Sequence, residues 1–273
     1  MIVRYGREFY KMTGSGNDFL FFDAMTTAAT ELETADRIQA LCSRGTGVGA
    51  DGVVFLDGSP AADFQIRYYN RDGSRGELCG NASLCTVRLA VELGIAPATG
   101  MAFVTDAGVI RGRVREGLPE IDLQRVSGLT GELSLARQPG ERRLGFVKVG
   151  VPHVVILHDD AASADVGGRG RELRWHSAFA EGANVNFVSR RGAAFAMRTY
   201  ERGVEAETLA CGTGAVATAV LLADWGAVEG PDVEIQTSSG RPVYVHLPVD
   251  DTTTGPSLRG EGRIVFRGCL GEV

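Results

Sequence analysis

A short arrangement of residues occurs twice in this chain, and it constrains the fold more than any other feature. Residues 66–85 read IRYYNRDGSRGELCGNASLC, and residues 197–216 read MRTYERGVEAETLACGTGAV. In both stretches a strand-like segment is followed by a turn, a cysteine and an apolar helical run, at spacings that agree to within one or two residues. We therefore predict an internal duplication, in which each half places one cysteine at the start of a helix.

Chain length and the distribution of glycine and proline predict the domain organisation. A chain of 273 residues exceeds the usual single core and fits two domains. The boundary is expected in the Gly- and Pro-bearing region around residues 117–140. We predict an N-terminal domain of residues 1–117, to which a C-terminal strand within residues 263–273 returns, and a C-terminal domain of residues 118–262.

Hydrophobic periodicity predicts many strands and few helices. Most segments between the glycines alternate apolar and polar residues, as in DFQIRYYN at 63–70 and FAMRTYE at 195–201, which is typical of antiparallel strands. Three segments have helical spacing instead. They are residues 34–44, with Thr34 as the expected N-cap, the run from Cys79 to Gly94, and the run from Cys211 to Gly226.

Composition excludes several classes of function. No apolar stretch approaches the roughly 18 to 20 residues of a membrane-spanning helix, and the N-terminal residues lack the pattern of a signal peptide, so we expect a cytoplasmic protein. The formal net charge is −6 and no basic cluster extends beyond short arginine pairs, which argues against a nucleic-acid partner. A small-molecule substrate is the better interpretation, with no membrane partner.

Cysteine, histidine and lysine usage argues against a metal or cofactor. The five cysteines form no Cys-x-x-Cys pair and the four histidines are scattered, so we predict no structural zinc. Pyridoxal phosphate requires a dedicated lysine, but only Lys11 and Lys148 are lysines and neither lies in a phosphate-binding loop. We expect no cofactor, and we assign Cys42, Cys85 and Cys269 to the core.

The two remaining cysteines suit acid/base chemistry. The pKa of a thiol at a helix N-terminus falls, to about 3.5 to 7.5 in favourable cases, because unpaired N–H groups and the helix dipole stabilise the thiolate. The backbone N–H groups of Gly80, Asn81, Gly212 and Thr213 are suited to bind a carboxylate. If the two halves face each other, one cysteine removes an α-proton and the other delivers a proton to the opposite face of the carbon.

An ordered set of motifs gives the chain a resemblance to a known family. The motifs are KMTGSGNDF (11–19), GVGADGVV (47–54), YYNRDGS (68–74), CGNASLC (79–85), VGVPH (149–153), ANVNF (183–187) and ERGVEAETLACGTGA (201–215). Over its whole length the chain resembles diaminopimelate epimerases, cofactor-independent enzymes that interconvert LL- and meso-diaminopimelate in lysine and peptidoglycan precursor synthesis. The resemblance implies an α+β fold of two pseudo-symmetric domains, each a curved, mostly antiparallel sheet wrapped around a central helix. It also implies an active cleft between the domains and a homodimer.

The resemblance also implies roles for individual residues. Cys79 and Cys211 are the acid/base pair, and the amides of Gly80, Asn81, Gly212 and Thr213 hold the reacting carboxylate. Asn17 and Glu201 contact the reacting end, Asn70, Asn184 and Arg202 contact the distal amino acid end, and His153 and Glu201 tune the thiols. Three of these residues also have structural interpretations: His153 as a satisfied structural histidine, Asn17 as a turn residue and Arg202 as a solvated surface arginine.

Two departures and two alternatives accompany the resemblance. Val151 stands where Asn is common, which removes one hydrogen bond to the distal end, and Ala82 stands where Gly is common. One alternative is a racemase or epimerase of the same fold for another amino acid such as histidine, which would leave the polar distal residues without partners. The other is a thiol redox protein with a Cys79–Cys211 disulfide, although its usual Cys-x-x-Cys signal is missing.

Overall fold

The computed structural model describes residues 6–26, 28–248 and 255–271. Residues 1–5, 27, 249–254, 272 and 273 lie outside the described residues. The predicted N-terminal domain thus lacks a description of the first residues of its segment 1–117 and of the last residues of its segment 263–273. The chain divides into two compact units, one of residues 1–121 and 260–273 and one of residues 122–259. The division at residues 117/118 and 262/263 stays a prediction.

Strands dominate both units. The first unit begins with β1 (Glu8–Gly14), β2 (Asn17–Asp23), a 3-10 helix (Thr30–Leu32), α1 (Ala35–Cys42), β3 (Gly52–Asp57), β4 (Phe64–Asn70), β5 (Arg75–Gly76), α2 (Gly80–Glu92), β6 (Met101–Thr105), β7 (Gly108–Arg115) and β8 (Leu118–Asp122). The second contains β9 (Ser127–Thr130), β10 (Glu141–Val149), β11 (Val151–His158), a 3-10 helix (Ala161–Ser163), α3 (Val166–Arg174), β12 (Asn184–Arg191), β13 (Ala194–Glu201), β14 (Ala206–Thr208), α4 (Gly212–Asp224), β15 (Asp232–Gln236), β16 (Pro242–His246) and β17 (Ser257–Arg259). The last strand among the described residues is β18 (Arg263–Cys269), which belongs to the first unit.

The two units have the same strand order. In the first, the strands pair in the order β18, β1, β2, β3, β4, β6, β7, β8. In the second, the order is β9, β10, β11, β12, β13, β15, β16, β17. Within each order the pairs are antiparallel except two, β2/β3 and β4/β6 in the first unit and β11/β12 and β13/β15 in the second. The α+β class is confirmed, and the repeated order explains the duplicated sequence pattern.

One helix in each unit lies against several strands of its own sheet. Helix α2 packs on β1, β7 and β18, and α4 packs on β10, β11, β12, β16 and β17. Close approach depends on glycine: a Cβ at Gly112 would lie 2.4 Å from a methyl carbon of Val87 on α2, and one at Gly145 would lie 2.5 Å from Leu221 on α4. The sequence predicted one apolar stripe on α2, but burial extends around the helix from Gly80 to Val87. Helix α2 is therefore shielded from solvent on all sides over this part of its length.

The predicted helices are present, and one further helix was not predicted. Helix α3 reads VGGRGRELR, a glycine-rich sequence with poor intrinsic helix propensity. Its start is capped by the Asp165 side chain, which accepts from Gly168 N at 2.8 Å. Its Arg169 forms a buried ion pair with Glu141 at 2.9 Å. These tertiary contacts compensate for the weak local signal.

At α1, Thr34 occupies the N-cap as predicted, but its side chain makes no capping hydrogen bond.

The cysteines outside the duplicated pattern are not all in the core. Cys42 and Cys85 are buried, as predicted, but Cys269 is exposed, so that assignment was wrong. The reason is that Cys269 lies at the end of β18, where most side chains are partly or fully exposed. No helix among the described residues is long and apolar enough to cross a membrane.

Candidate functional site

The cysteine of the first unit stands at the start of a buried helix. Cys79 is the N-cap of α2, with extended backbone angles of φ −129° and ψ 117°. Its carbonyl accepts the first hydrogen bond of the helix, from Ser83 N at 2.9 Å. The side chain is half-buried. Because the N–H groups of the first turn have no partner within the helix, they are available for an anion beside this thiol.

The cysteine of the second unit has the same local structure. Cys211 is the N-cap of α4, with φ −133° and ψ 108°, and its carbonyl accepts from Ala215 N at 3.0 Å. The thiol is buried, and its Sγ lies 3.6 Å from the hydroxyl oxygen of Thr213. A Cβ at Gly214 would lie 2.4 Å from Oδ1 of Asn186 and 3.2 Å from Sγ of Cys211. Glycine is therefore required in this turn.

Two predicted binding residues of the first unit are in direct contact. Asn81, in the first turn of α2, is 3% exposed and donates from Nδ2 to Oδ1 of Asn17 at 2.7 Å. Asn17 begins β2 directly after the tight turn at Ser15 and Gly16, whose φ angles are positive. This position agrees with the structural interpretation of Asn17 as a turn residue, and its functional role stays a prediction. Oδ1 of Asn81 is buried and has no hydrogen-bond partner among the described residues.

The other polar atom of the Asn17 amide, Nδ2, is held by a network of charged side chains. Asp51 accepts from Nδ2 of Asn17 at 3.1 Å and from the backbone N of Asp18 at 3.2 Å. Arg44 pairs with Asp51 at 2.8 Å and with Asp18. Lys11 pairs with Asp18 at 2.6 Å. The pKa of Asp18 is lowered, because the hydrogen bonds and charges of Arg44 and Lys11 outweigh the cost of its partial burial.

Asn70, the predicted distal residue of the first unit, lies at the end of β4. Its Nδ2 donates to Oγ of Ser74 at 3.0 Å, and its backbone N donates to the Ser74 carbonyl at 2.9 Å. The turn from β4 to β5 therefore sets the position of the amide. No hydrogen bond described for Asn70 reaches Asn17 or Asn81.

The predicted distal residues of the second unit are joined by a hydrogen bond. Asn184, the first residue of β12, is buried and accepts on Oδ1 from the backbone N of Arg202 at 2.8 Å. The Arg202 guanidinium donates to the Glu181 carbonyl at 3.1 Å. Arg202 is therefore held by specific contacts and is not a freely solvated surface residue. Glu201 ends β13 beside it and is half-buried.

His153 is fully buried on β11 and lies opposite Asn184 in the parallel register with β12. Burial, reinforced by the positive charge of Arg202, lowers its pKa to about 3. The imidazole is therefore neutral at physiological pH. Its Nε2 has no hydrogen-bond partner among the described residues.

Three residues in these surroundings were missed in the sequence. Asn186 contacts His153 and the first turn of α4, and Asp51 orients Asn17. Ser15 is fully buried, has φ 53°, and carries a hydroxyl without a partner among the described residues. All three lie in quoted motifs, but polar residues in Gly- and Asn-rich stretches read as turn formers. Only the alternation of ANVNF, which places Asn184 and Asn186 on one face, pointed to Asn186.

The other buried thiols are unsuited to acid/base chemistry. Burial raises the pKa of Cys85 well above its usual value, and burial raises the pKa of Cys42 to about 11. Within the described parts of the chain, no cluster of three or more His, Cys, Asp or Glu side chains is suited to hold a metal ion. Both lysines take part in ion pairs, Lys11 with Asp18 and Lys148 with Glu181.

Comparison with known proteins agrees with the internal duplication, because one family model matches the chain in two segments. The family model described as diaminopimelate epimerase matches residues 9–122 and 145–258. The chain belongs to the diaminopimelate epimerase family. A relative named diaminopimelate epimerase from Gemmatimonas aurantiaca is 49% identical, over 95% of this chain and 98% of its own length. Another, from Aquifex aeolicus, is 37% identical over 97% of this chain and 98% of its own length.

Solved structures of low sequence identity share the fold. A phenazine biosynthesis protein of the PhzF family from Bacillus anthracis has a TM-score of 0.74 at 15% identity, and 98% of this chain and 100% of that chain are covered. A hydroxyproline epimerase from Agrobacterium vitis, with bound trans-4-hydroxy-L-proline, has a TM-score of 0.68 at 15% identity, with coverages of 98% and 93%. At such identity the likeness supports the fold alone, since unrelated activities share folds.

We expect Asp51→Ala to release the Asn17 amide. Asn17 and the Asp18 N–H lose their acceptor, which costs about 1–3 kcal/mol of unfolding free energy, measured by denaturant titration. The side-chain NH₂ signals of Asn17 and Asn81 shift and broaden in ¹⁵N NMR. Arg44→Ala is the matched control, because it removes the exposed ion pairs, worth about 0–1 kcal/mol each, and leaves the Asp51 acceptor. Equal changes of the amide signals in both variants would show that Asp51 acts only through its ion pair.

Proposed function

We propose that this protein epimerises LL-diaminopimelate to meso-diaminopimelate without a cofactor, in lysine and peptidoglycan precursor synthesis. The observation that carries the proposal is the matched placement of Cys79 and Cys211 at the N-caps of α2 and α4. Their backbone angles agree to within about 10°. Membership of the diaminopimelate epimerase family supports the choice of substrate.

The proposed chemistry moves one proton off the substrate and another onto it. One cysteine, as thiolate, takes the α-proton and becomes a thiol, while the C–H electron pair stays on the carbon. The other cysteine, as thiol, gives its proton to the opposite face of that carbon and becomes a thiolate. Substrate of the opposite configuration reverses the roles. The protein returns to its starting state when the two thiols exchange a proton with solvent.

Helix starts supply the stabilisation that this chemistry needs. Removing an α-proton places negative charge on the carbon and its carboxylate. The first-turn N–H groups of Gly80, Asn81, Gly212 and Thr213 are the proposed donors to that carboxylate. Glycine at 80 and 212 lets the backbone approach closely, and the burial of both helix starts strengthens each interaction by excluding water.

The proposed contacts with the rest of the substrate follow from residue chemistry. Arg202 is suited to bind the distal carboxylate, and Asn70 and Asn184 to bind the distal carboxylate and ammonium. Asn17 and Glu201 are proposed at the reacting end, where a carboxylate side chain offsets the charge of the α-ammonium. Val151 contributes no side-chain polar atom, so the distal end is held by fewer hydrogen bonds than in relatives with Asn at this position.

The test of this function is a chiral assay with purified, reduced enzyme and LL-diaminopimelate. We expect conversion to the meso form by the wild-type enzyme. In Cys79→Ala and in Cys211→Ala, kcat should fall by about 10²–10⁴-fold, because each substitution removes one proton-transfer group. Cys269→Ala is the matched control, since this thiol is exposed and lies outside the proposed site.

The outcomes of this assay separate the alternatives. The same assay is run with histidine, and conversion of histidine but not of diaminopimelate would retain the proposed chemistry and overturn the proposed substrate. Full activity of either N-cap variant would overturn the two-cysteine mechanism. Loss of activity in the Cys269→Ala control would mean that the effect of cysteine removal is not specific to the helix starts.

We also propose that the protein is a cytoplasmic homodimer. The support is the resemblance to its family. Sedimentation equilibrium should give twice the 29.0 kDa mass of one chain. A single species at the mass of one chain, at all concentrations, would contradict the dimer.

A further inference from the structure

His153 and Asn186 form a buried polar pair on adjacent strands of the second unit. Both side chains are fully buried, and Nδ2 of Asn186 lies 3.3 Å from Nδ1 of His153. Neither residue is one of the N-cap cysteines, yet Asn186 Oδ1 also lies against Gly214, in the first turn of the helix that Cys211 caps. The pair therefore connects the buried imidazole to the start of α4.

Further contacts determine which way the Asn186 amide points. Nδ2 lies 3.1 Å from the backbone carbonyl oxygen of Val154, and Oδ1 accepts from the hydroxyl of Thr199 at 2.9 Å. A carbonyl oxygen only accepts hydrogen bonds, so the amide atom facing Val154 must be the nitrogen. A flipped amide would place Oδ1 against the Val154 carbonyl, bringing two acceptors into contact and losing this buried hydrogen bond, whereas the Thr199 hydroxyl is able to donate or accept and does not discriminate. The NH₂ group therefore also faces Nδ1 of His153.

This orientation determines the tautomer of the imidazole. Nδ1 faces an N–H donor, so it accepts and carries no proton. The buried ring is neutral, as described above, and a neutral imidazole keeps its one proton on the other nitrogen. That nitrogen, Nε2, is buried and has no partner among the described residues. Because a buried N–H is costly without an acceptor, this nitrogen is suited to donate to a bound ligand or to a buried water.

We infer that Asn186 is a positioning residue that holds His153 as the Nε2–H tautomer, so that the imidazole serves the reaction as a neutral hydrogen-bond donor. His153 then stabilises negative charge at its acceptor and does not itself take up a proton during turnover. The tautomer follows from the contacts of Asn186 alone, whereas the donor role rests on the proposed epimerase function.

The direct test is the tautomer of His153 in the full-length wild-type enzyme, from two-bond ¹H–¹⁵N correlation spectra at neutral pH. We expect the spectral pattern of an Nε2–H imidazole. Asn186→Asp keeps the size of the side chain but replaces the NH₂ donor by an acceptor, so the proton should move to Nδ1. Thr199→Val is the matched control, because it removes a bond to the same amide and leaves the donor to Nδ1 in place. It should retain the Nε2–H pattern.

Kinetics test the donor role. In Asn186→Asp the donor nitrogen is lost, and kcat should fall by about a hundredfold, with a smaller change in KM, as when one donor to developing charge is removed. Thr199→Val should keep kcat to within about threefold, since the donor is kept. If Asn186→Asp does not fold, Asn186→Leu removes the same donor without burying a charge and should also lower kcat.

Each result bears on a different claim. A wild-type His153 protonated at Nδ1, or charged at neutral pH, would overturn the tautomer. A wild-type Nε2–H pattern with full kcat in the folded variants would overturn the donor role. A wild-type enzyme with the expected tautomer but no activity on diaminopimelate would overturn the proposed function and leave the tautomer assignment intact.

Discussion

The structure depends on one constraint: in each unit a helix begins in the interior, with its first N–H groups in buried surroundings. Such groups cost free energy unless an acceptor is present. Here the side chain at each N-cap is a cysteine that makes no capping hydrogen bond within its helix, in place of the usual Ser, Thr or Asp. The helix starts are therefore left available for an external anion, and the strands around them shield that position from water.

Near these helix starts, further polar side chains hydrogen-bond to the proposed contact residues and orient them. Asp51 holds Asn17, which in turn accepts from Asn81. In the second unit, the Val154 carbonyl orients Asn186, which faces His153. Each amide has its orientation set by a group that is able only to donate or only to accept. Orientation of this kind, settled before a ligand arrives, reduces the reorganisation needed during the reaction.

Much of this was predictable from the sequence, and the failures have physical reasons. The duplication and the central helices α2 and α4 were predicted correctly, because strong local patterns specify them. Helix α3 was missed because Asp165 and the buried Glu141–Arg169 pair stabilise a glycine-rich segment whose propensity is poor. Cys269 was misplaced because the burial of one residue on a terminal strand depends on the faces of a sheet that the sequence does not specify locally.

The candidate site was predicted less completely than the fold. Cys79 and Cys211 stood out by repetition, and the remaining proposed residues came from the resemblance to a family. Asn186 and Asp51 were missed because their importance lies in which group each one orients. That property depends on contacts across more than 30 positions of the chain. Fold likeness would not have supplied them either, since structures at 15% identity share only the fold.

The most direct test of the central claim, that two separate thiols serve opposite faces of one carbon, is isotope partition at early conversion. LL-diaminopimelate is treated with reduced enzyme in heavy water, and deuterium at the α-carbon is measured separately in recovered substrate and in product. With two bases, the meso product carries solvent deuterium from the start, while recovered LL substrate keeps its proton. Deuterium entering recovered substrate as fast as product, or product retaining the original proton, would indicate a single base and contradict the two-cysteine mechanism.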